Sequence, residues 1–172
     1  MESKMNHRSF LLELLAGKDF HPKKFPLPDI VMIRASGNDG GRCCRLWSEV
    51  GRGFWSERAD WDLARWSGHL SLGNVWFGIA MQHGEDIGFF ELARGGEVAK
   101  IEGFGLLPAW RGRGCGGGLL SAATQRAFEL GARRIWLHTA TDDHPNALPN
   151  YQKRGYRTYH EAPLKNPIKH DT

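Results

Sequence analysis

The alternation of apolar and polar positions divides the chain into a short apolar front segment, a basic connector, and a long series of strand-like and helix-like blocks. Near the front, Phe10-Leu11-Leu12-Glu13-Leu14-Leu15 follows the capping-type Ser9 and predicts a short helix docked on the body of the protein. A connector containing Lys and Pro ends at Pro28, and Ile30–Arg34 then reads as a strand. Asn38-Asp39-Gly40-Gly41 forms a turn, after which Cys43, Leu46, Trp47 and Val50 recur at helical spacing until Gly51 to Gly53 end the helix. Ser56 offers a cap for a second helix carrying Trp61, Ala64 and Arg65. Three apolar runs follow, Trp76–Met81, Ile87–Leu92 and Val98–Leu107. The tight turns His83-Gly84-Glu85-Asp86 and Arg94-Gly95-Gly96-Glu97 join them into an antiparallel meander.

The pattern then changes period. Leu119, Leu120, Ala123, Ala127 and Phe128 form one stripe of a helix that Gly131 ends, and Ile135–Thr139 is the next strand. A strand, a helix and a strand of these lengths make a right-handed crossover, so the two strands run parallel. Pro149 tolerates only the first turn of a helix, where a missing N–H costs little; Asn146 as cap puts Pro149 third and Tyr151 in the second turn. Gly155 closes that helix and Tyr156–Tyr159 is a last strand. The fold class expected is α+β with one α/β-type crossover: a mixed, mostly antiparallel central sheet flanked by helices. No repeat or interdomain linker interrupts the chain, so residues 1–172 are read as one domain, with 1–28 as an arm and 163–172 as a loose tail.

Composition narrows the classes of function. At 172 residues the chain can bury a real core. Its net charge of +4 is scattered, which suits an anionic small molecule and not nucleic acid. Three cysteines, two of them adjacent, give no disulfide framework, and the absence of a CxxC pair or His cluster gives no metal site. The apolar run Phe10–Ala16, broken by Glu13, is too short to span a membrane, and a cytoplasmic setting is expected.

The chemistry is concentrated in Leu107-Pro108-Ala109-Trp110-Arg111-Gly112-Arg113-Gly114-Cys115-Gly116-Gly117-Gly118. Successive glycines let backbone N–H groups converge on one point, and the helix behind them adds roughly half a positive charge. Such a bend holds a phosphate or diphosphate. Gly112 to Gly117 also spells GxGxxG, with Asp142 after the next strand, so a dinucleotide-binding oxidoreductase is an alternative. Against it, Pro108-Ala109-Trp110-Arg111 separates strand from glycines, and antiparallel strands precede the unit. The GKS or GKT ending of a P-loop is absent.

Arg111-Gly112-Arg113-Gly114-Cys115-Gly116 resembles the acyl-CoA motif Arg/Gln-x-x-Gly-x-Gly/Ala of the GNAT superfamily of N-acyltransferases. The segment from His144 to Tyr156 resembles that superfamily's Asn-x-x-Ala-x-x-x-Tyr-x-x-x-Gly-Phe, with Ala147, Tyr151 and Gly155 at matching positions and His144 where the family has asparagine. The Phe-Gly-Leu-Leu-Pro strand end and the Leu-His-Thr…Asp-His-Pro…Ala-Leu-Pro-x-Tyr segment resemble a bacterial subgroup. The resemblance implies acetyl-CoA as cosubstrate in an opening between the fourth and fifth strands (Val98–Leu107 and Ile135–Thr139). It further implies that the amides of Gly112, Arg113, Gly114, Cys115, Gly116 and Gly117 hold the diphosphate, with charge added by Arg111 and Arg113. Phe104, Gly105 and Leu106 would pair with the pantetheine arm, and His144 or Asn146 would contact it. The acceptor implied is a small amine, with no nucleic-acid or membrane partner; a homodimer stays open.

A primary amine with pKa ~10 is about one part in a thousand neutral at pH 7, so its proton must be removed. Glu102 is the candidate base and Tyr151, matching the family tyrosine, the candidate acid for the leaving thiolate. Cys115 at a helix N-terminus invites a thiolate reading, yet the family carries small or apolar residues there, which favours packing. His138 is expected to be a hydrogen-bonded core histidine. Trp47, Trp61 and Trp66 lie on helices expected to border the acceptor, where an aromatic cage for a cation is one reading and core packing the other. Asp142-Asp143 suits a cationic acceptor or a turn cap equally. A non-catalytic acyl-CoA sensor is the alternative from a different functional class.

Overall fold

In a computed structural model, which describes residues 7–164, seven strands form one sheet in the order β2-β3-β4-β5-β6-β1-β7. The strands are β1 (Arg8–Leu15), β2 (Ile30–Arg34), β3 (Val75–Gln82), β4 (Glu85–Gly95), β5 (Val98–Leu106), β6 (Arg134–Ala140) and β7 (Arg157–Pro163). Four helices accompany them: α1 (Gly40–Gly51), α2 (Leu63–Leu70), α3 (Cys115–Glu129) and α4 (Ala147–Lys153). Every neighbouring pair is antiparallel except β5 and β6, which run parallel through the α3 crossover. The mixed, mostly antiparallel character and the one parallel pair are what the sequence pattern predicts; the place of β1 in the sheet is not. This is not the doubly wound parallel sheet that a dinucleotide-binding oxidoreductase requires.

Strand alternation sends side chains to two cores. Leu92, Ile101, Ile135 and Leu137 meet Leu119, Leu120, Ala123 and Ala127 of α3 on one face. Phe77, Ile79 and Phe89 meet Leu46, Trp47, Val50, Trp66 and Leu70 of α1 and α2 on the other. α2 is capped by Asp62, whose carboxylate accepts the Arg65 N–H at 2.8 Å. Ser56 is therefore not its cap, and Trp61 lies before the helix. Asn146 stands at the N-cap of α4, so Pro149 is its third residue, as the proline argument requires.

The front segment corrects the sequence reading. Phe10–Leu15 is part of a strand, not a helix. Its leucines favour a helix intrinsically, and a run of six cannot reveal its period. Tertiary pairing decides the matter: Leu12 and Leu14 point into the core, while Glu13 between them accepts from Arg134 of β6 at 2.5 Å. β1 sits between β6 and β7, so the two ends of the described chain lie side by side. Pro163 belongs to β7, opposite Arg8, and is not the start of a loose tail; 165–172 and 1–6 lie outside the described residues.

The connector between β1 and β2 runs as a strap over α3. The Lys23 N–H donates to Ser121 Oγ at 2.8 Å, and the His21 N–H to the Arg154 carbonyl at 3.1 Å. Among the described residues no helix is long and apolar enough to cross a membrane.

Candidate active site

β5 and β6 pair only from Val98 to Ile101 against Arg134 to Leu137, and then separate. Each keeps its other neighbour: β5 stays on β4 as far as Leu106, and β6 stays on β1 as far as Ala140. The gap is therefore held open from both sides. The Leu107 N–H donates to the Ile87 carbonyl at 2.9 Å, so alternation turns the peptide groups of Phe104 and Leu106 toward the gap. Such an unpaired edge accepts an extended amide-bearing ligand as an added strand.

Two cavities meet at this gap. The first, of about 380 Å³, is lined by Phe104, Gly105 and Leu106, the glycine bend (Arg111, Gly112, Gly114, Gly116, Gly117), and the α4 region from Asp143 to Arg154. Lys23 of the strap also lines it. The second, of about 410 Å³, lies between β5, β6 and the loop after α1, and is lined by Trp47, Phe54, Trp55, Glu57, Arg58, Lys100, Glu102, His138, Asp142 and Asp143. Phe104, Tyr151, Asp143, Phe54 and Trp55 belong to both.

The bend is a cradle by construction. Gly114 takes a left-handed conformation (φ 78°) at the N-cap of α3, which leaves the first-turn N–H groups of that helix facing the cleft. A Cβ on Gly117 would collide with Arg154 Nη1 and stand 2.7 Å from Lys23 Cδ, so glycine is what allows both cations to approach the amides. Arg113 lies outside the cleft lining, with its guanidinium 4.8 Å from the Trp110 ring. Arg111 donates to the Leu106 and Val50 carbonyls at 3.2 and 3.0 Å, which ties the end of β5 to the end of α1. Cys115 is buried, and that burial pushes its thiol pKa up, against the smaller opposing pull of the Arg113 and Lys23 charges; a neutral thiol fits packing.

Tyr151 is 7 % exposed and reaches both cavities. Burial, reinforced by the Asp143 charge, raises its pKa, so the phenol keeps its proton at neutral pH. Its ring lies 6.0 Å from Phe104 and 6.1 Å from Tyr156. His144 and Asn146 both line the first cavity. Burial and then the Arg111 charge lower the His144 pKa, and its Nδ1 lies 3.2 Å from the Asn146 backbone N, which can donate to it. The Asn146 side chain makes no capping bond.

Glu102 sits at a β-bulge. Gly103 pairs with Glu91 and Ile101 with Leu92, leaving Glu102 as the extra residue. The bulge breaks the simple alternation that would have put Glu102 and Phe104 on one face. Glu102 lines the second cavity and accepts from Lys100 Nζ at 2.8 Å. His138 is exposed to the same cavity, contrary to the core histidine expected of it, because β6 has parted from β5 one residue earlier.

The aromatic cage does contain a cation, and it is the protein's own Arg58. Its guanidinium stands 4.0 Å from the Trp47 ring and 4.6 Å from Trp61. It makes two 2.8 Å bonds to the fully buried Glu91, which His69 also meets at 3.0 Å. Burial by itself would raise the Glu91 pKa, but the His69 and Arg58 hydrogen bonds and charges outweigh it and hold the carboxyl below its usual range. Trp47 lines the second cavity while Trp61 and Trp66 pack behind Arg58. Asp143 accepts from the Thr139 hydroxyl at 2.5 Å and the Ala140 N–H at 2.9 Å, so it caps the turn while facing both cavities.

A parted parallel strand pair, with an amide-lined bend on one side and a second pocket on the other, defines a transferase of the GNAT kind. Residues 41–156 match the Acetyltransferase (GNAT) family, and the chain belongs to it. Over 74 residues (43 % of this chain, 21 % of the relative) it is 39 % identical to a mycothiol acetyltransferase of Corynebacterium aurimucosum, so the match spans about a fifth of that relative's length. A GCN5-related N-acetyltransferase from Kribbella flavida superposes with TM-score 0.66 at 21 % identity, covering 90 % of this chain and 55 % of that one. One from Sphaerobacter thermophilus gives 0.70 at 17 %, covering 90 % and 49 %. An aminoglycoside acetyltransferase from an uncultured soil metagenomic sample gives 0.63 at 20 %, covering 83 % and 99 %. At these identities the structures share the fold.

Proposed function

We propose that the protein is an acetyl-CoA-dependent N-acetyltransferase acting on a small cationic amine. The observation that carries this reading is the opposite charge of two cavities that share Tyr151. Lys23, Arg111, Lys153 and Arg154 against Asp143 make the first cavity positive, and its glycine cradle fits a diphosphate. The second holds Glu57 and Asp143, with Asp142, which meets His7, and a Lys100–Glu102 pair that cancels; its other cation, Arg58, is bound to Glu91, so the carboxylates prevail there. An anionic donor and a cationic acceptor are thus each drawn to one side of the gap.

In this reading the amine nitrogen attacks the thioester carbonyl, the C–S bond breaks, and the amine proton leaves through Glu102 directly or by a water. The Leu106 backbone N–H, or that of Phe104, polarises the carbonyl as charge builds on its oxygen. Tyr151, kept protonated by burial, gives its proton to the departing thiolate. The neutral His144 and the uncommitted Asn146 side chain suit the pantetheine amides.

The test is a thiol-release assay with acetyl-CoA against monoamines, diamines, aminoglycosides and amino acids, alongside calorimetry with CoA. Turnover that is fastest with acceptors bearing more than one positive charge is expected. Tight CoA uptake with no turnover on any amine would establish the sensor instead.

A further inference from the structure

We propose that Lys23 and Arg154 form a two-cation clamp on the phosphate groups of the acyl donor. The clamp rests on the acetyl-CoA reading above, and Lys23 lies outside both the Arg111–Gly116 motif and the segment matched to the family.

Three observations meet here. The strap delivers Lys23 to the bend: its N–H is fixed on Ser121 Oγ, its stem crosses Gly117, and its Nζ stops 3.9 Å from where a Gly114 Cβ would stand. Phe25, two residues on, seats the strap by lying 2.8 Å from the Cβ position of Gly118. From the opposite side Arg154, just past α4, brings Nη1 to the Gly117 Cβ position, and its carbonyl is tied to the strap at His21. Among the described residues neither cation has a carboxylate within ion-pair distance, and Arg154 Nε is buried without a hydrogen-bond partner.

Two like charges therefore converge on the positive end of a helix without compensation. That arrangement is repulsive alone and becomes favourable around a polyanion. An unsatisfied buried guanidinium nitrogen at the same spot points to the same missing partner. The diphosphate and the 3′-phosphate of CoA carry the shared chemistry.

Lys23→Met keeps the stem and the backbone donor while removing the charge, and Arg154→Gln keeps most of the planar side chain. Each is expected to weaken CoA binding in calorimetry, and to raise KM for acetyl-CoA, about tenfold with kcat within about twofold. The variants should also flatten the salt dependence of CoA binding, and Lys23→Arg should restore it. With acetyl-pantetheine, which lacks phosphates, wild type and variants should behave alike. A penalty that persists with 3′-dephospho-CoA assigns the clamp to the diphosphate; one that vanishes assigns it to the 3′-phosphate. Unchanged CoA affinity in both variants, or an equal loss on acetyl-pantetheine, overturns the clamp alone. A wild type that takes up no CoA overturns the donor reading and the clamp with it.

Discussion

Tyr151 occupies the junction of the two cavities and has its ionisation suppressed by burial, so its hydroxyl still holds, at neutral pH, the proton that the proposed reaction passes to the thiolate. Tyr151→Phe is expected to lower kcat by ~10² with little change in KM for acetyl-CoA; steady-state kinetics with acetyl-CoA varied will check this. Glu102 and His138 face the second cavity from β5 and β6. With Glu102 as the base, Glu102→Gln is expected to lower kcat/KM by ~10² and His138→Asn to leave it within about twofold, as steady-state kinetics with the amine varied will show. The motif residues were legible because glycine, arginine and tyrosine at fixed offsets have few other uses. Lys23, Arg58 and Arg154 were not. Their roles come from where the strap, a loop and a helix end meet, and a lone basic residue in a connector carries no local signal.

At the scale of elements, the strand that parts from its neighbour does most to build the site, and that parting was an expectation from resemblance, not from polarity. The meander, the crossover and the α4 cap follow from turns and period, so the sequence read them directly. The front strand was misread because its pairing partners are distant, and the Glu102 bulge was invisible because one extra residue leaves no mark on composition. The strap depends on a joint at Gly155, where φ is 99° and a Cβ would collide with the Asp19 carbonyl. Gly155→Ala is expected to cost at least about 2 kcal/mol in urea unfolding and to raise KM for acetyl-CoA as the strap shifts.

At the scale of the whole molecule, the buried Arg58–Glu91–His69 group joins the loop over the second cavity to the centre of the sheet. The folded state depresses the Glu91 pKa, so its contribution is full above the unfolded value near ~4.3 and is lost as pH falls through the lower folded value. Glu91→Gln should therefore lower Tm at pH 7 and differ progressively less from wild type in acid, as thermal scans across pH 3–7 will record. At neutral pH the loss is expected to be ~3–5 kcal/mol, because Arg58 is left buried and uncompensated. β1 has a different consequence. Its partner contact Glu13–Arg134 closes a loop of 121 residues, and its other neighbour is the last strand described. A ribosome-bound nascent chain must carry this leucine-rich segment unmatched until β6 has been made, and the sheet gains its last described pairing only once β7 emerges. Refolding should accordingly be slow for a protein of this size, with the leucines of the opening segment among the last to be shielded from water.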